Sequence, residues 1–154
     1  MRPALEFRRA APGLERPLAR FFAAFRRSKD RLRFEPHPMT SAEARARCAY
    51  KGKDLHYVVA VGSRVVGYGI LRGWDEGYAR PSLGIGLLPA AQGRGIGRAL
   101  MHFLHAAAAE RGARQVRLRV AKDNKAARAL YANLGYRFRP NTKELLEGIV
   151  DLGR

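Results

Sequence analysis

"LLPAAQGRGIGRALMHFL", residues 87–104, decides how the chain is read. An apolar pair runs into Pro89, which stops a strand because proline lacks the N–H that a ladder needs. Gln92 follows, and then glycine at positions 93, 95 and 97 around Arg94. From Ile96 onward, Leu100, Phe103, Leu104 and Ala107 recur at helical spacing and make one apolar face, and Gly112 ends it. The segment is therefore a strand, a glycine loop and the start of a helix. Amides at a helix N-terminus have no partners inside the helix and carry the positive end of its dipole. Glycines let the loop turn tightly and let an anion approach the backbone. "QGRGIG" reads as a phosphate cradle with Arg94 and Arg98 as further cations; the alternative is a glycine-rich turn that binds nothing. A triphosphate loop would need Gly-Lys-Ser/Thr, and the segment has no lysine. The dinucleotide fingerprint Gly-x-Gly-x-x-Gly fails because its last position falls on Arg98 or Leu100.

Around this centre the chain alternates between strand and helix patterns. "ALEFRR" (4–9) suits an opening strand. Leu14, Leu18, Phe21, Phe22 and Phe25 lie on one helical face. "PHP" (36–38) breaks the chain, and Thr40 or Ser41 caps a second helix that runs to about Tyr50. "LHYVVAV" and "RVVGYGILR" are strands joined by Gly62-Ser63, a two-residue hairpin signal. "GWDEGYARP" is a long turn, and "SLGIGLL" is a fourth strand whose Gly84 and Gly86 suit a bulge or a close backbone approach. "RQVRLRV" alternates as a fifth strand. Asp123 or Asn124 caps a helix to Leu134, and "YRFRP" and "ELLEGIVDL" close the chain as a strand pair. Strands alternating with helices indicate an α/β fold with a mixed sheet covered by helices.

The 154 residues fit one domain with a real core. Thirty basic side chains, mostly arginine, against 13 acidic ones give a net charge of +17. That field attracts anions such as nucleic acid, an anionic membrane face or phosphorylated small molecules; a solvated arginine-rich surface is the plainer account. Cys48 is the only cysteine, so an internal disulfide is excluded and a reducing, cytoplasmic setting is expected. No apolar run approaches the roughly 18 residues of a membrane span. The basic N-terminus resembles a transit peptide in composition, but it also supplies the first strand and helix and is kept in the fold.

Gln92-x-x-Gly95-x-Gly97, placed after Leu87-Leu88-Pro89, resembles the acetyl-CoA-binding motif of the GNAT superfamily of N-acetyltransferases. A second block, "DNKAARALYANLGYRF" (123–138), resembles that family's next motif, in which an Asn opens a helix and a Tyr lies near its end. Residues 56–138 carry the likeness; residues 1–55 match only in their strand-helix-helix order. The resemblance implies a single N-acetyltransferase domain over 1–154, with a twisted mixed sheet, a splayed central strand pair and helices on both faces. It implies that Gly93, Arg94, Gly95, Ile96, Gly97 and Arg98, with Gln92, hold the coenzyme A pyrophosphate. Leu87 and Leu88 would pair with the pantetheine arm, and Asn124 would bond its amides. Tyr131 would protonate the leaving thiolate; the alternative is a tyrosine that packs helix against sheet. No metal is implied, and a homodimer is compatible.

The likeness is thinnest at the base. Many members carry a Glu on the fourth strand, and "SLGIGLL" has none. Asp75 and Glu76 are the nearest acids, suited to drawing in a cationic amine; His56 or water is an alternative proton carrier. His102 and His105 are three apart, as metal ligands can be, but no Cys or carboxylate accompanies them. Cys48 reads as a packed thiol. No nucleic-acid motif accompanies the basic first helix. Trp74 and Tyr78 offer a stacking wall for an acceptor. The expected acceptor is a small primary amine, an amino-sugar nucleotide or another phosphorylated amine. A protein N-terminus, a ribosomal protein, or a coenzyme A-binding module without turnover are the alternatives.

Overall fold

A computed structural model describes residues 1–153, the side chains of Arg31 and Leu32 excepted; Arg154 lies outside the described residues. Seven strands form one sheet in the order β1 (Leu5–Arg9), β2 (Leu55–Val61), β3 (Arg64–Arg72), β4 (Ser82–Leu87), β5 (Gln115–Ala121), β7 (Leu145–Asp151) and β6 (Arg137–Pro140). Helices α1 (Glu15–Arg26) and α2 (Ser41–Ala49) cover one face, and α3 (Ile96–Glu110) and α4 (Lys125–Asn133) the other.

Alternation along the strands divides the core in two. On the α1 side, Leu18, Phe21, Phe22 and Phe25 pack on Val58, Tyr68 and Ile70. On the α3 side, Leu100, Met101 and Leu104 pack on Val59, Leu71, Val116 and Leu118. Each such side chain is fully buried, a gain of about 1.5–3 kcal/mol apiece over exposure. Helix starts follow the expected chemistry: Thr40 Oγ1 accepts from Glu43 N at 3.1 Å, and Asn124 Oδ1 from Ala127 N at 3.4 Å. Asp123 instead pairs with Arg33 at 3.8 Å.

All neighbouring strands are antiparallel except β4 and β5. Those two run parallel and meet at Ser82↔Arg117, supported by Arg117 N donating to Pro81 O at 3.0 Å. Beyond that pair they diverge, which is the splayed central pair. The bulge lies on β3, where Val66 is extra between the Val59↔Gly67 and Ala60↔Val65 pairs. β4 itself is regular against β3 from Ser82 to Leu87. Gly84 and Gly86 answer a close approach: a Cβ there would lie 2.5 Å and 2.6 Å from the Phe34 ring, which covers the strand from the α1 side.

Candidate active site

A cavity of about 460 Å³ occupies the gap between β4 and β5. Leu83 to Leu87 form one wall, and Arg119, Val120 and Ala121 the other. The glycine loop closes one end. Gly93 and Gly95 adopt φ of +72° and +84°, the left-handed region that side chains other than glycine enter at a cost. Gly95 is the N-cap of α3, and the first helical hydrogen bond runs from Ala99 N to Gly95 O at 3.1 Å. The amides of Ile96, Gly97 and Arg98 therefore precede the helical ladder and are available to an anion.

Of the residues expected from sequence, the structure gathers Leu87, Gln92, Gly93, Gly95, Gly97, Arg98, Asn124 and Tyr131 around this cavity. Leu88 packs toward the α1 core, the Ile96 side chain is buried in the α3 core, and Arg94 is exposed outside the wall. The Gln92 amide is engaged locally, donating to Asp30 Oδ2 at 2.8 Å and Leu87 O at 3.1 Å. Arg98 donates to Asn133 Oδ1 at 2.8 Å. Tyr131 is buried on α4, and its surroundings push the phenol up to about 12 because the phenolate is poorly solvated there. Among the described residues no hydrogen bond to its hydroxyl is found, which leaves that donor free within the cavity wall. Its ring lies 5.7 Å from that of Tyr136, whose hydroxyl meets His105 Nε2 at 2.7 Å.

The four residues expected at the acceptor separate. Glu76 and Tyr78 line a second pocket of about 590 Å³, at the closed end of the splay. Trp74 packs toward the α3 core with the Arg111 guanidinium 5.4 Å from its ring centre, and so does not wall this pocket. Asp75 Oδ1 accepts from Lys53 N at 2.8 Å. Asp54, absent from the sequence reading, places that turn: its Oδ1 accepts from the amides of Gly73, Trp74 and Asp75 at 3.0, 3.0 and 3.3 Å.

Other titratable groups sit away from both openings. His56 is buried beneath α2, and burial together with the Arg47 charge lowers it to about 4, so it is neutral. Burial pushes the Cys48 thiol up, which disfavours the nucleophilic thiolate. His105 is bound to Tyr136, and among the described residues no cluster suited to a metal is found. Sequence reasoning missed Phe34, Asp30 and Arg119 on the cavity wall. For Arg119 a signal existed, since Arg117 and Arg119 alternate with Val116, Leu118 and Val120.

A seven-stranded mixed sheet that opens beside a glycine loop defines a class, and comparison with known proteins agrees. The chain belongs to the acetyltransferase (GNAT) family, whose sequence model matches residues 20–136. It is thereby an enzyme of the N-acetyltransferase class, and acetyl-CoA is the family's co-substrate. Among curated proteins no sequence matches the chain. Solved structures share the fold at low identity. The GNAT domain of S. lividans PAT superposes with a TM-score of 0.81 at 19% identity, covering 96% of this chain and 90% of that one. An N-acetyltransferase from Staphylococcus aureus Mu50 gives 0.75 at 18%, covering 97% and 99%. The ribosomal-protein-S18-alanine N-acetyltransferase from Escherichia coli gives 0.72 at 18%, covering 98% and 96%. The residues present fit that co-substrate: free helix-start amides suit a pyrophosphate, and an opened strand edge suits an extended, amide-bearing arm. Among the described residues no helix is long and apolar enough to cross a membrane.

Proposed function

We propose that this chain transfers the acetyl group of acetyl-CoA to a primary amine by direct attack, with no acyl-enzyme. One observation carries the reading: a single cavity joins the amides ahead of α3, the free edge of β4 and the Tyr131 hydroxyl donor. The loop from Gly93 to Arg98 holds the pyrophosphate. The backbone of Leu87 and the side chain of Asn124 align the pantetheine arm; Leu88, expected to share that role, faces the other way, its N–H donating to Val66 O at 2.9 Å and its C=O accepting from Ala91 N at 2.9 Å. The amine nitrogen forms a bond to the acetyl carbon while the carbon–sulfur bond breaks with its electron pair on sulfur. Tyr131 donates its proton to that sulfur, and the nitrogen releases a proton to water. Pushed up to about 12 by burial, the phenol stays protonated across the physiological range and so stands as a donor rather than a base.

No carboxylate lies on β4, so no side chain is assigned as base. The acceptor we favour is a small amine, an amino-sugar nucleotide or another phosphorylated amine among them, since the second pocket is of small-molecule size. A cytoplasmic setting accords with the single buried thiol. Calorimetry with acetyl-CoA tests the cradle, and thiol release across amino sugars, amino acids, polyamines and N-terminal peptides tests the transfer. The absence of both binding heat and thermal stabilisation at millimolar acetyl-CoA would overturn the proposal.

A further inference from the structure

The second pocket is a basin of arginine. Arg72 on β3 lies opposite Ser82 on β4, and Ser82 opposite Arg117 on β5, so their side chains share the α1 face of the sheet. Arg119, two residues along β5, points the same way, and Arg80 comes from the segment before β4. The lining thus brings four guanidinium groups together with one carboxylate, that of Glu76. Three of the four are held by neighbours. Arg72 donates to Pro36 O at 2.8 Å and Arg80 to Gln115 Oε1 at 3.1 Å, while Arg117 pairs with buried Glu147 at 2.8 Å. Glu147 is shared with Arg139, so it leaves much of this positive charge uncompensated. Each guanidinium has five N–H donors in a planar fork, and these contacts use few of them. For Arg119 no hydrogen bond or ion pair is found among the described residues. Arg119 also lines the cavity that Tyr131 lines, so one residue borders both openings.

We infer that this pocket binds an anionic group on the acceptor, and that the enzyme acetylates a small amine carrying a carboxylate or a phosphate. The inference rests on the acetyl-transfer reading for the amine, and on the pocket alone for the anion. Forks fixed by Pro36, Gln115 and Glu147 are organised before the ligand arrives, which suits two-pronged recognition of a carboxylate or phosphate. Arg119 then lies on the path from that anion to the reacting nitrogen. The same cations disfavour an ammonium ion relative to a neutral amine, the form that attacks, and only Glu76 opposes them in the lining. At about 590 Å³ the pocket takes a small molecule rather than a folded surface.

The test pairs acceptors that share an amine and differ in the anion: glucosamine 6-phosphate with glucosamine, phosphoethanolamine with ethanolamine, and amino acids with their amides. Calorimetry on the coenzyme A-saturated protein reads binding, and thiol release at saturating acetyl-CoA reads kcat/KM. In at least one pair the anionic member should bind and react at least tenfold better. The phosphate and carboxylate arms identify which anion is taken. Arg119→Gln and Arg80→Gln should each cut that ratio several-fold, and Arg119→Lys should restore part of it. Among the described residues Arg119 makes no hydrogen bond or ion pair, so its substitution leaves the fold intact, and the ratio within one variant cancels any change in coenzyme binding. Anionic binding without thiol release would keep the pocket and reject acetyl transfer. Equal behaviour of both members in every pair would overturn the inference. So would a preference that survives both variants, or acetylation of acidic N-terminal peptides with rejection of every small amine.

Discussion

Replacing Gly97 with glutamate should make the fold more stable and the enzyme unable to hold its co-substrate. Gly97 is the second residue of α3, and its φ is not positive. A Cβ there would lie 3.5 Å from Leu87 Cδ1 and 4.0 Å from Leu130 Cδ2, ordinary contact. Nothing in the backbone or the space requires glycine, which costs about 0.5–1 kcal/mol in a helix relative to alanine. A glutamate recovers part of that and adds about 0.3–1 kcal/mol from a negative charge in the first turn. The sum is about 1 kcal/mol, or a melting temperature raised by about 2–4 °C for a domain of this size. The carboxylate would meanwhile stand among the amides that receive the pyrophosphate. The pyrophosphate's two negative charges, each at about 4 Å and each worth about 1 kcal/mol at the dielectric constant of water, would together be repelled by about 2 kcal/mol, and by more inside the cleft. That is a loss of at least about 30-fold in affinity. Differential scanning fluorimetry and calorimetry on the same preparation read both quantities. Unchanged acetyl-CoA affinity would refute the cradle, and a lowered melting temperature would refute the account of the helix start. Gly95→Ala is the contrast: space is open there, but φ of +84° makes any side chain cost about 1–2 kcal/mol, so its stability should fall.

Tyr131→Phe should lower kcat by about 10²-fold with little change in coenzyme affinity. The wild type should show no alkaline limb from this phenol below about pH 12, because burial holds its proton. Glu76→Gln, at the rim of the arginine basin, should raise the acceptor KM more than it lowers kcat. Asp75→Asn should act instead through stability, since its carboxylate accepts from the Lys53 amide, and a collapse of kcat in either variant would identify a base. His56 stays neutral in the fold down to about pH 4 but takes a proton in the unfolded chain below 6.5. The unfolded state therefore binds more protons in that window, and stability should fall as pH drops, by up to about 1.4 kcal/mol per unit. Urea titrations at several pH values should show this slope flatten in His56→Gln. Asp30 is an acid on the wall of an anion cradle, so Asp30→Asn should tighten acetyl-CoA a few-fold by calorimetry; weaker binding would mean that its bond to Gln92 shapes the loop.

Element order and the cofactor loop were legible because periodicity and glycine placement report local geometry directly. Ile96, Leu100 and Leu104 recur at helical spacing, and they are the buried face of α3. What a face looks at is a different matter. Val116, Leu118 and Val120 alternate with Arg117 and Arg119, which in isolation means one wet face of a strand. Only the sheet order, with β4 peeling away from β5, turns that face into a pocket floor. Trp74 in a glycine-rich turn read as an exposed wall. Asp54, twenty residues earlier, gathers the amides of the turn, and the indole lies beneath Arg111. Phe34 sits in a basic, proline-flanked stretch with no period, so nothing local announced that its ring would cover Gly84 and Gly86.

The missing carboxylate on β4 and the two arginines of β5 are two sides of one arrangement. Gly84 and Gly86 let the Phe34 ring lie against β4, and β4 leaves its parallel partner after Ser82. A glutamate side chain at either glycine would collide with that ring. The surface a base would occupy in the cleft is thus given to aromatic packing, and polar side chains enter from β5 instead. Those side chains are cations. On the proposed reading they supply by electrostatics part of what a carboxylate would supply by proton transfer, favouring the neutral amine and holding its anionic end. Arg119 lines both openings, so substituting it should disturb acceptor and coenzyme together, whereas Arg80, which lines only the basin, should affect the acceptor alone.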